Sequence, residues 1–126
     1  MPYEPYKNGT LLIPSGPADS KHLFVVVTDK CDQGKHLLLN FTTVRPNLQY
    51  DATCVVEPGE HQFIRAQSYV AYRYAQIQDA DRLARFVDNR YYQSSDDAPS
   101  ALVERMIAGA FASDFTPNFV LDYLDP

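Results

Sequence analysis

The chain has 126 residues, the length of one domain with one modest hydrophobic core. Hydrophobic residues make up 45% and charged residues 21%, a composition that excludes wholesale disorder. The longest apolar runs, 23–27 and 37–39, fall short of the roughly 20 residues of a membrane helix. Residues 1–7 contain no apolar signal core, and the two cysteines fit a reducing compartment. We therefore expect a soluble cytoplasmic protein that does not engage a membrane.

The net charge of −5 is unevenly distributed. Residues 1–78 carry seven basic and seven acidic side chains, whereas residues 79–126 carry four basic and nine acidic ones. This balance excludes the class of strongly basic nucleic-acid-binding proteins, but it leaves room for a local basic site that contacts one phosphate. The acidic segment is typical of a solvated helix face, and it can also meet a basic partner.

Turn residues and apolar runs predict a β-rich front half. The predicted strands are residues 10–14, 21–28, 36–43, 53–56, 61–64 and 68–77. The last of them is one long strand with Val70, Tyr72 and Tyr74 on the same face. Short strands joined by short turns predict a meandering sheet or a small barrel.

After Ile77 the apolar period changes from that of a strand to that of a helix. The predicted helices are 79–89, 100–112 and a short one from Pro117 to Leu124 that is N-capped by Thr116, with a polar connector over 91–100. We therefore predict a single α+β domain over residues 1–126, with a β-barrel at 9–78 and a helical extension at 79–126.

The chain has no strong catalytic motif, so the candidate site residues are polar side chains at strand ends. Ser15, Gly16 and Pro17 form a loop whose backbone N–H groups suit a phosphate. Next to it, Lys21 and His22 open the most buried predicted strand. A histidine suits general acid–base catalysis near neutral pH, and a lysine stabilises negative charge on phosphate oxygens. The structural alternatives are a plain β-connection, a solvated lysine and a hydrogen-bonded structural histidine.

Five further polar residues are candidates for substrate contacts. Thr28 can donate to a phosphate oxygen or cap a turn. His61 follows a tight turn, where a rim position for catalysis competes with a structural role. Arg65 can hold a phosphate or cover a sheet edge. Ser68 and Tyr69 precede the long predicted strand, and a tyrosine there can stack on a base or join the core.

A zinc site is a weaker alternative. Cys31, Cys54, His22, His36 and His61 are residue types that bind zinc, but no pair among them shows a tight ligand spacing. We therefore expect neither a metal nor a cofactor. We expect the Cys54 side chain to be buried in the apolar core and the Cys31 thiol to be exposed.

Several segments resemble the PemK/MazF-like toxin family. In that family a Gly-Asp-hydrophobic strand and a polar loop precede the pattern Arg-Pro-Ala-hydrophobic-Val-Val-Ser. The counterparts here are residues 9–13 (GTLLI), 15–17 (SGP) and 21–28 (KHLFVVVT). Residues 68–77 and 81–83 are similar to the family's last strand and to the start of the helix that follows it.

The likeness covers about residues 9–85, and the chain departs from the family at identifiable positions. Lys21 and His22 stand where the family has Arg-Pro. The nearest counterpart of the hydroxyl residue after the family's third strand is Thr42 or Thr43.

The resemblance implies a small SH3-like barrel, often a homodimer, that acts as a metal-independent endoribonuclease and is neutralised by an antitoxin protein. On that basis we expect single-stranded RNA as the substrate. His22 and His61 would be the acid–base pair, Lys21 the cation on the phosphate, and Ser68 or Tyr69 would position that phosphate.

A second hypothesis is a non-catalytic SH3-like interaction module that binds a protein partner through its barrel or its acidic helices. The neutral front half and the net charge of −5 favour this hypothesis. The catalytic hypothesis requires that Lys21, His22 and His61 converge in one cleft.

Overall fold

The computed structural model describes residues 2–15 and 20–126, which form an α+β fold of seven paired strands and three helices. The strands are β1 Thr10–Pro14, β2 Lys21–Val26, β3 Lys35–Thr43, β4 Val55–Val56, β5 Ser68–Val70, β6 Gln76–Asp79 and β7 Gln93–Ser95. The helices are α1 Ala80–Asp88, α2 Ser100–Ala112 and α3 Asn118–Leu124. Each strand pair is antiparallel, and the path through the sheet is β4-β5-β3-β2-β1-β7, with β6 also paired to β3.

The central strand β2 is apolar on both faces because the sheet is covered on both faces. Alternate residues of a strand point to opposite sides. Leu23 and Val25 accordingly join the cluster that contains the apolar face of α2, whereas Phe24 and Val26 join the cluster that contains Leu83 of α1. The predicted helical extension therefore shares its core with the sheet, and β7, which lies within it, pairs with β1.

Strands β5 and β6 are two parts of one chain segment that runs along β3. The register passes from Phe41↔Val70 to Leu38↔Gln76, so the segment carries three extra residues between the two pairs. A 3-10 turn at Tyr72–Tyr74 absorbs them and places the Tyr72 hydroxyl in the core, where it donates to the Met106 carbonyl oxygen at 2.7 Å. The prediction of one unbroken strand over 68–77 is therefore wrong, because Tyr72 is drawn into contact with α2.

The open ends of the sheet differ from the predicted barrel. Strands β4 and β7 end the path and, within the described residues, are not paired with each other. Closure of the barrel is therefore not observed.

Most of the other predicted elements are confirmed, and three are wrong. The strands predicted at 10–14, 21–28 and 36–43 and the helices predicted at 79–89 and 100–112 are present with ends shifted by two residues at most. Residues 61–64 form a turn closed by a hydrogen bond from the Ile64 N–H to the His61 carbonyl, not a strand. The polar connector contains β7, which has no apolar signal. Thr116 is not the N-cap of α3, since that helix begins after Pro117 without a side-chain cap.

No helix in the described part of the chain has the length and the apolar character needed to cross a membrane.

The surroundings of the two cysteines shift the pKa values of their thiols in opposite directions. The Tyr123 hydroxyl lies beside Cys31, and hydrogen bonding from it, aided by backbone groups of Lys35 and Gln33, lowers the pKa of the Cys31 thiol. Burial raises the pKa of the Cys54 thiol.

We expect iodoacetamide to alkylate Cys31 well before Cys54 at neutral pH, because the thiolate is the nucleophile and a lower pKa increases its fraction. Tyr123→Phe should slow the alkylation of Cys31 and shift its rate profile to higher pH, as measured by mass spectrometry over a pH series. Tyr91→Phe, which removes a hydroxyl from an exposed tyrosine, is the control. Equal rates for Cys31 in the Tyr123→Phe and wild-type proteins would contradict this account.

Candidate functional site

A cleft of about 290 Å³ lies where the start of β2, the end of β3 and the loop before β5 meet. We call it the basic cleft and define it by Lys21, His22, Thr43, Arg45, Phe63 and Ser68. Two cations and a histidine line it, and no aspartate or glutamate of the described residues does. The cleft is therefore a cationic site on a chain whose net charge is −5.

Strand pairing explains why these residues meet. Lys21 and His22 open β2 and pair with the end of β1. Thr43, the last residue of β3, pairs with Ser68, the first residue of β5. Arg45 follows two residues after the end of β3, which places its side chain at the same edge.

His22 is half-buried and held on one side. Its Nδ1 atom shares a hydrogen bond of 2.6 Å with the Ser15 hydroxyl, so the Nε2 atom is the ring nitrogen left for a ligand. Ser15, which was predicted as a phosphate contact, thus orients the imidazole. The predicted loop residues Gly16 and Pro17 lie outside the described residues.

His61 lies apart from the lining of the basic cleft, and both of its ring nitrogens bond to the backbone. Nδ1 accepts the Phe63 N–H at 3.1 Å, so the proton must be on Nε2, which donates to the Asp96 carbonyl at 2.6 Å. The ring is 5% exposed. The structure therefore brings Lys21 and His22 together but does not place His61 with them, and His61 presents no nitrogen to a ligand in this cleft.

The remaining predicted contacts do not share one site. Thr28 follows the far end of β2, where its hydroxyl accepts the Leu37 N–H at 3.0 Å. Ser68 lines the basic cleft, and its buried hydroxyl donates to the Ala66 carbonyl at 2.9 Å. Arg65 is exposed outside the cleft lining.

Tyr69 points away from Ser68, as alternation along β5 requires, and lines a second cleft of about 300 Å³. We call this the aromatic cleft and define it by Tyr50, Tyr69, Arg73, Tyr74 and Phe115. The rings of Tyr50 and Tyr69 have centroids 5.2 Å apart. The Arg73 guanidinium lies 5.9 Å from the ring centre of Tyr74 and 5.3 Å from that of Phe115.

Sequence reasoning missed two residues of the basic cleft. Arg45 lies in an irregular segment after β3, and only the strand pairing brings it beside Lys21. Phe63 has the apolar character of a core residue, yet its side chain is exposed in the structure. No spacing in the sequence distinguishes either residue.

Within residues 2–15 and 20–126, no three His, Cys, Asp or Glu side chains lie close enough together to hold a metal ion. No protein-family model, no curated protein and no solved structure matches this chain. The two clefts are therefore the features of the protein that bear on its function.

Proposed function

We propose that this protein binds single-stranded RNA in the basic cleft and cleaves it without a metal, as a PemK/MazF-like toxin. The observation that carries the proposal is the pair of cations, Lys21 and Arg45, beside His22 in a cleft where no carboxylate belongs to the described lining residues. The chain as a whole is acidic and repels anions. The two cations make this cleft the place where a phosphate is attracted instead.

The sheet geometry supports the SH3-like part of the proposal. β3 pairs with β2 over Phe24↔Asn40 to Val26↔Leu38, and then with β5 over Phe41↔Val70 to Thr43↔Ser68. A long strand that passes from one sheet to another forms the corner of small orthogonal sheets and barrels. The antitoxin partner and the homodimeric state belong to the same proposal and rest on the resemblance of residues 9–85.

His61 does not join Lys21 and His22 in this cleft, so the two-histidine acid–base pair expected from the sequence is given up and His22 alone is left as the base. The chemistry that this cleft suits is internal transesterification. The Nε2 atom of His22 takes the proton of the ribose 2′-hydroxyl, and the 2′-oxygen attacks the adjacent phosphorus. Lys21 and Arg45 stabilise the charge that develops on the non-bridging oxygens. The bond from phosphorus to the 5′-oxygen breaks, and that oxygen takes a proton from water or from the Lys21 ammonium. The products are a 2′,3′-cyclic phosphate and a 5′-hydroxyl end.

We expect the purified protein to cleave unstructured RNA in the presence of EDTA and to leave 2′,3′-cyclic phosphate ends, as detected by gel electrophoresis and mass spectrometry. Lys21→Ala and Arg45→Ala should weaken RNA binding and reduce its salt dependence, because each removes a phosphate contact. Lys30→Ala, which removes an exposed lysine elsewhere, is the matched control. RNA binding without any cleavage would contradict the enzymatic part, and an absence of both would remove the proposal.

The aromatic cleft favours a second candidate function, the binding of a protein partner. Its rings are large and exposed, with 59% of the Tyr74 side chain and 49% of the Phe115 side chain open to solvent. Asp51 lines the same cleft and Asp114 precedes Phe115, in the segment that carries the acidic excess. The exposed rings suit an extended partner segment with large apolar side chains.

The partner hypothesis is tested by co-purification with the product of an adjacent small reading frame. Tyr74→Ala and Phe115→Ala should abolish the complex without changing RNA binding, whereas Tyr91→Ala, at another exposed aromatic residue, should change neither. A complex that survives both cleft substitutions would exclude the aromatic cleft as its interface.

A further inference from the structure

Phe63 is an exposed aromatic residue in the lining of the basic cleft. Its exposed fraction is 41%, although burial of its ring would have been favourable. Lys21 and Arg45 line the same cleft. An apolar partner at this place would desolvate these two cations without pairing them, so the ligand must combine negative charge with a flat apolar surface.

The turn that carries Phe63 is held by partly buried hydrogen bonds. The Phe63 N–H donates to His61 Nδ1 at 3.1 Å, and His61 Nε2 donates to the Asp96 carbonyl at 2.6 Å. The Thr10 hydroxyl donates to the same Asp96 carbonyl at 2.7 Å. The turn is thereby tied to β1 and to the segment that follows β7.

The two rings of this turn are also arranged as a stack. The centroids of His61 and Phe63 are 6.2 Å apart, and the angle between the ring planes is 24°. Since the His61 ring is buried and fixed through both nitrogens, it supports the Phe63 backbone and ring from one side. Phe63 itself remains 41% exposed in the lining of the basic cleft.

We propose that Phe63 is the base-stacking residue of the basic cleft and that His61 is a positioning residue that presents it. The inference rests on the proposed function and specifies its ligand, which is a ribonucleotide of single-stranded RNA with its base unpaired. The phosphate lies against Lys21 and Arg45, and the base lies on Phe63. A duplex cannot satisfy the site because its bases are already stacked on one another.

The test compares two ligands that share a backbone. One is a short unstructured 2′-O-methyl RNA, which cannot be cleaved because it has no free 2′-hydroxyl, and the other is the same oligomer without its bases. We expect wild-type protein to bind the base-containing oligomer about tenfold more tightly, as measured by fluorescence anisotropy. Phe63→Leu should abolish that difference and leave binding of the abasic oligomer unchanged, whereas Phe63→Trp should preserve it.

His61→Gln tests the positioning role. If His61 presents Phe63, the substitution reduces the preference for the base-containing oligomer while binding of the abasic oligomer stays the same. A purely structural defect would lower the binding of both oligomers by one factor, because it would only reduce the folded fraction, and that result would overturn the positioning role.

The outcomes separate this inference from the proposed function. If wild-type protein binds neither oligomer, both fail. If it binds both oligomers equally, or if Phe63→Leu keeps the tenfold preference, stacking on Phe63 is wrong while the RNA site stands. Arg45→Ala, which removes a phosphate contact, should weaken binding of both oligomers by the same factor.

Discussion

The His22→Ala protein is expected to cleave RNA about 10²–10⁴-fold more slowly than wild type and to bind it with little change. The loss is large because general-base catalysis by His22 would be removed outright. The two cations that hold the phosphate, Lys21 and Arg45, would remain in place. The measurement is a single-turnover cleavage rate with saturating protein, accompanied by an anisotropy titration with uncleavable RNA.

Two controls separate proton transfer from a structural effect of His22. His22→Gln retains a side chain that can hydrogen-bond to Ser15, whose hydroxyl lies 2.6 Å from His22 Nδ1 in the wild type, but it cannot act as a base at neutral pH. We expect it to be as slow as His22→Ala. Added imidazole should restore part of the rate of the alanine variant. Cleavage by His22→Gln at the wild-type rate would refute the acid–base role.

Gly109→Ala is expected to destabilise the fold, although alanine is the better helix former. Gly109 lies within α2 and is buried. A Cβ atom at this position would overlap the Tyr72 hydroxyl and lie 3.0 Å from Tyr72 Cζ and 3.3 Å from Cys54 Cβ. Since the Tyr72 hydroxyl donates to the Met106 carbonyl, the side chain cannot withdraw without losing a buried hydrogen bond.

The sizes of the opposing free-energy contributions decide whether Gly109→Ala stabilises or destabilises the protein. Helix propensity favours alanine over glycine by about 1 kcal/mol. Overpacking costs roughly 1–3 kcal/mol, and loss of the buried hydrogen bond of Tyr72 adds about 1–3 kcal/mol. We expect the free energy of unfolding to fall by about 1–5 kcal/mol, and the melting temperature by roughly 10 °C at the middle of that range. Urea and thermal denaturation followed by circular dichroism measure both quantities.

Two further variants test whether overlap with Tyr72 is what destabilises the Gly109→Ala protein. Ala108→Gly, at the exposed neighbouring position of the same helix, should lose only the propensity difference of about 1 kcal/mol. In a double-mutant cycle, Tyr72→Phe should relieve part of the cost of Gly109→Ala, because it removes the oxygen that the new methyl group would overlap. A Gly109→Ala protein at least as stable as wild type would show that steric overlap does not govern this contact.

The elements that were predicted well are those whose own residues carry a periodic signal. α2 has an apolar stripe that meets the core, and its predicted bounds, 100–112, are the observed ones. The run 23–27 is buried throughout, and its first four residues lie in the central strand β2, as its apolar character predicts. β7 gave no such signal, because Gln93–Ser95 is polar and pairs with residues of β1 that lie 81 to 85 positions earlier in the chain.

The candidate site was partly predictable for the same reason. Lys21 and His22 are predictable because they open a strand whose apolar run, 23–27, is clear in the sequence. Arg45 and Phe63 were not, because they lie in segments without periodicity, and their place in the basic cleft depends on pairing between β3 and β5. The functional interpretation of His61 depended on an open rim position, whereas the chain folds its ring inward onto backbone groups.

The amino-acid sequence by itself determined the first three strands, the helices at 79–89 and 100–112, the buried centre at β2, and the concentration of acidic charge after residue 78. These properties follow from local periodicity and composition, which every short segment carries independently of the others. Only the tertiary structure decided that residues 68–79 break into two strands, that β7 joins β1, and that Lys21, His22, Arg45 and Phe63 share one cleft. Such features depend on contacts between residues far apart in the chain, where packing around Tyr72 and the pairing of distant backbone groups outweigh the local preferences.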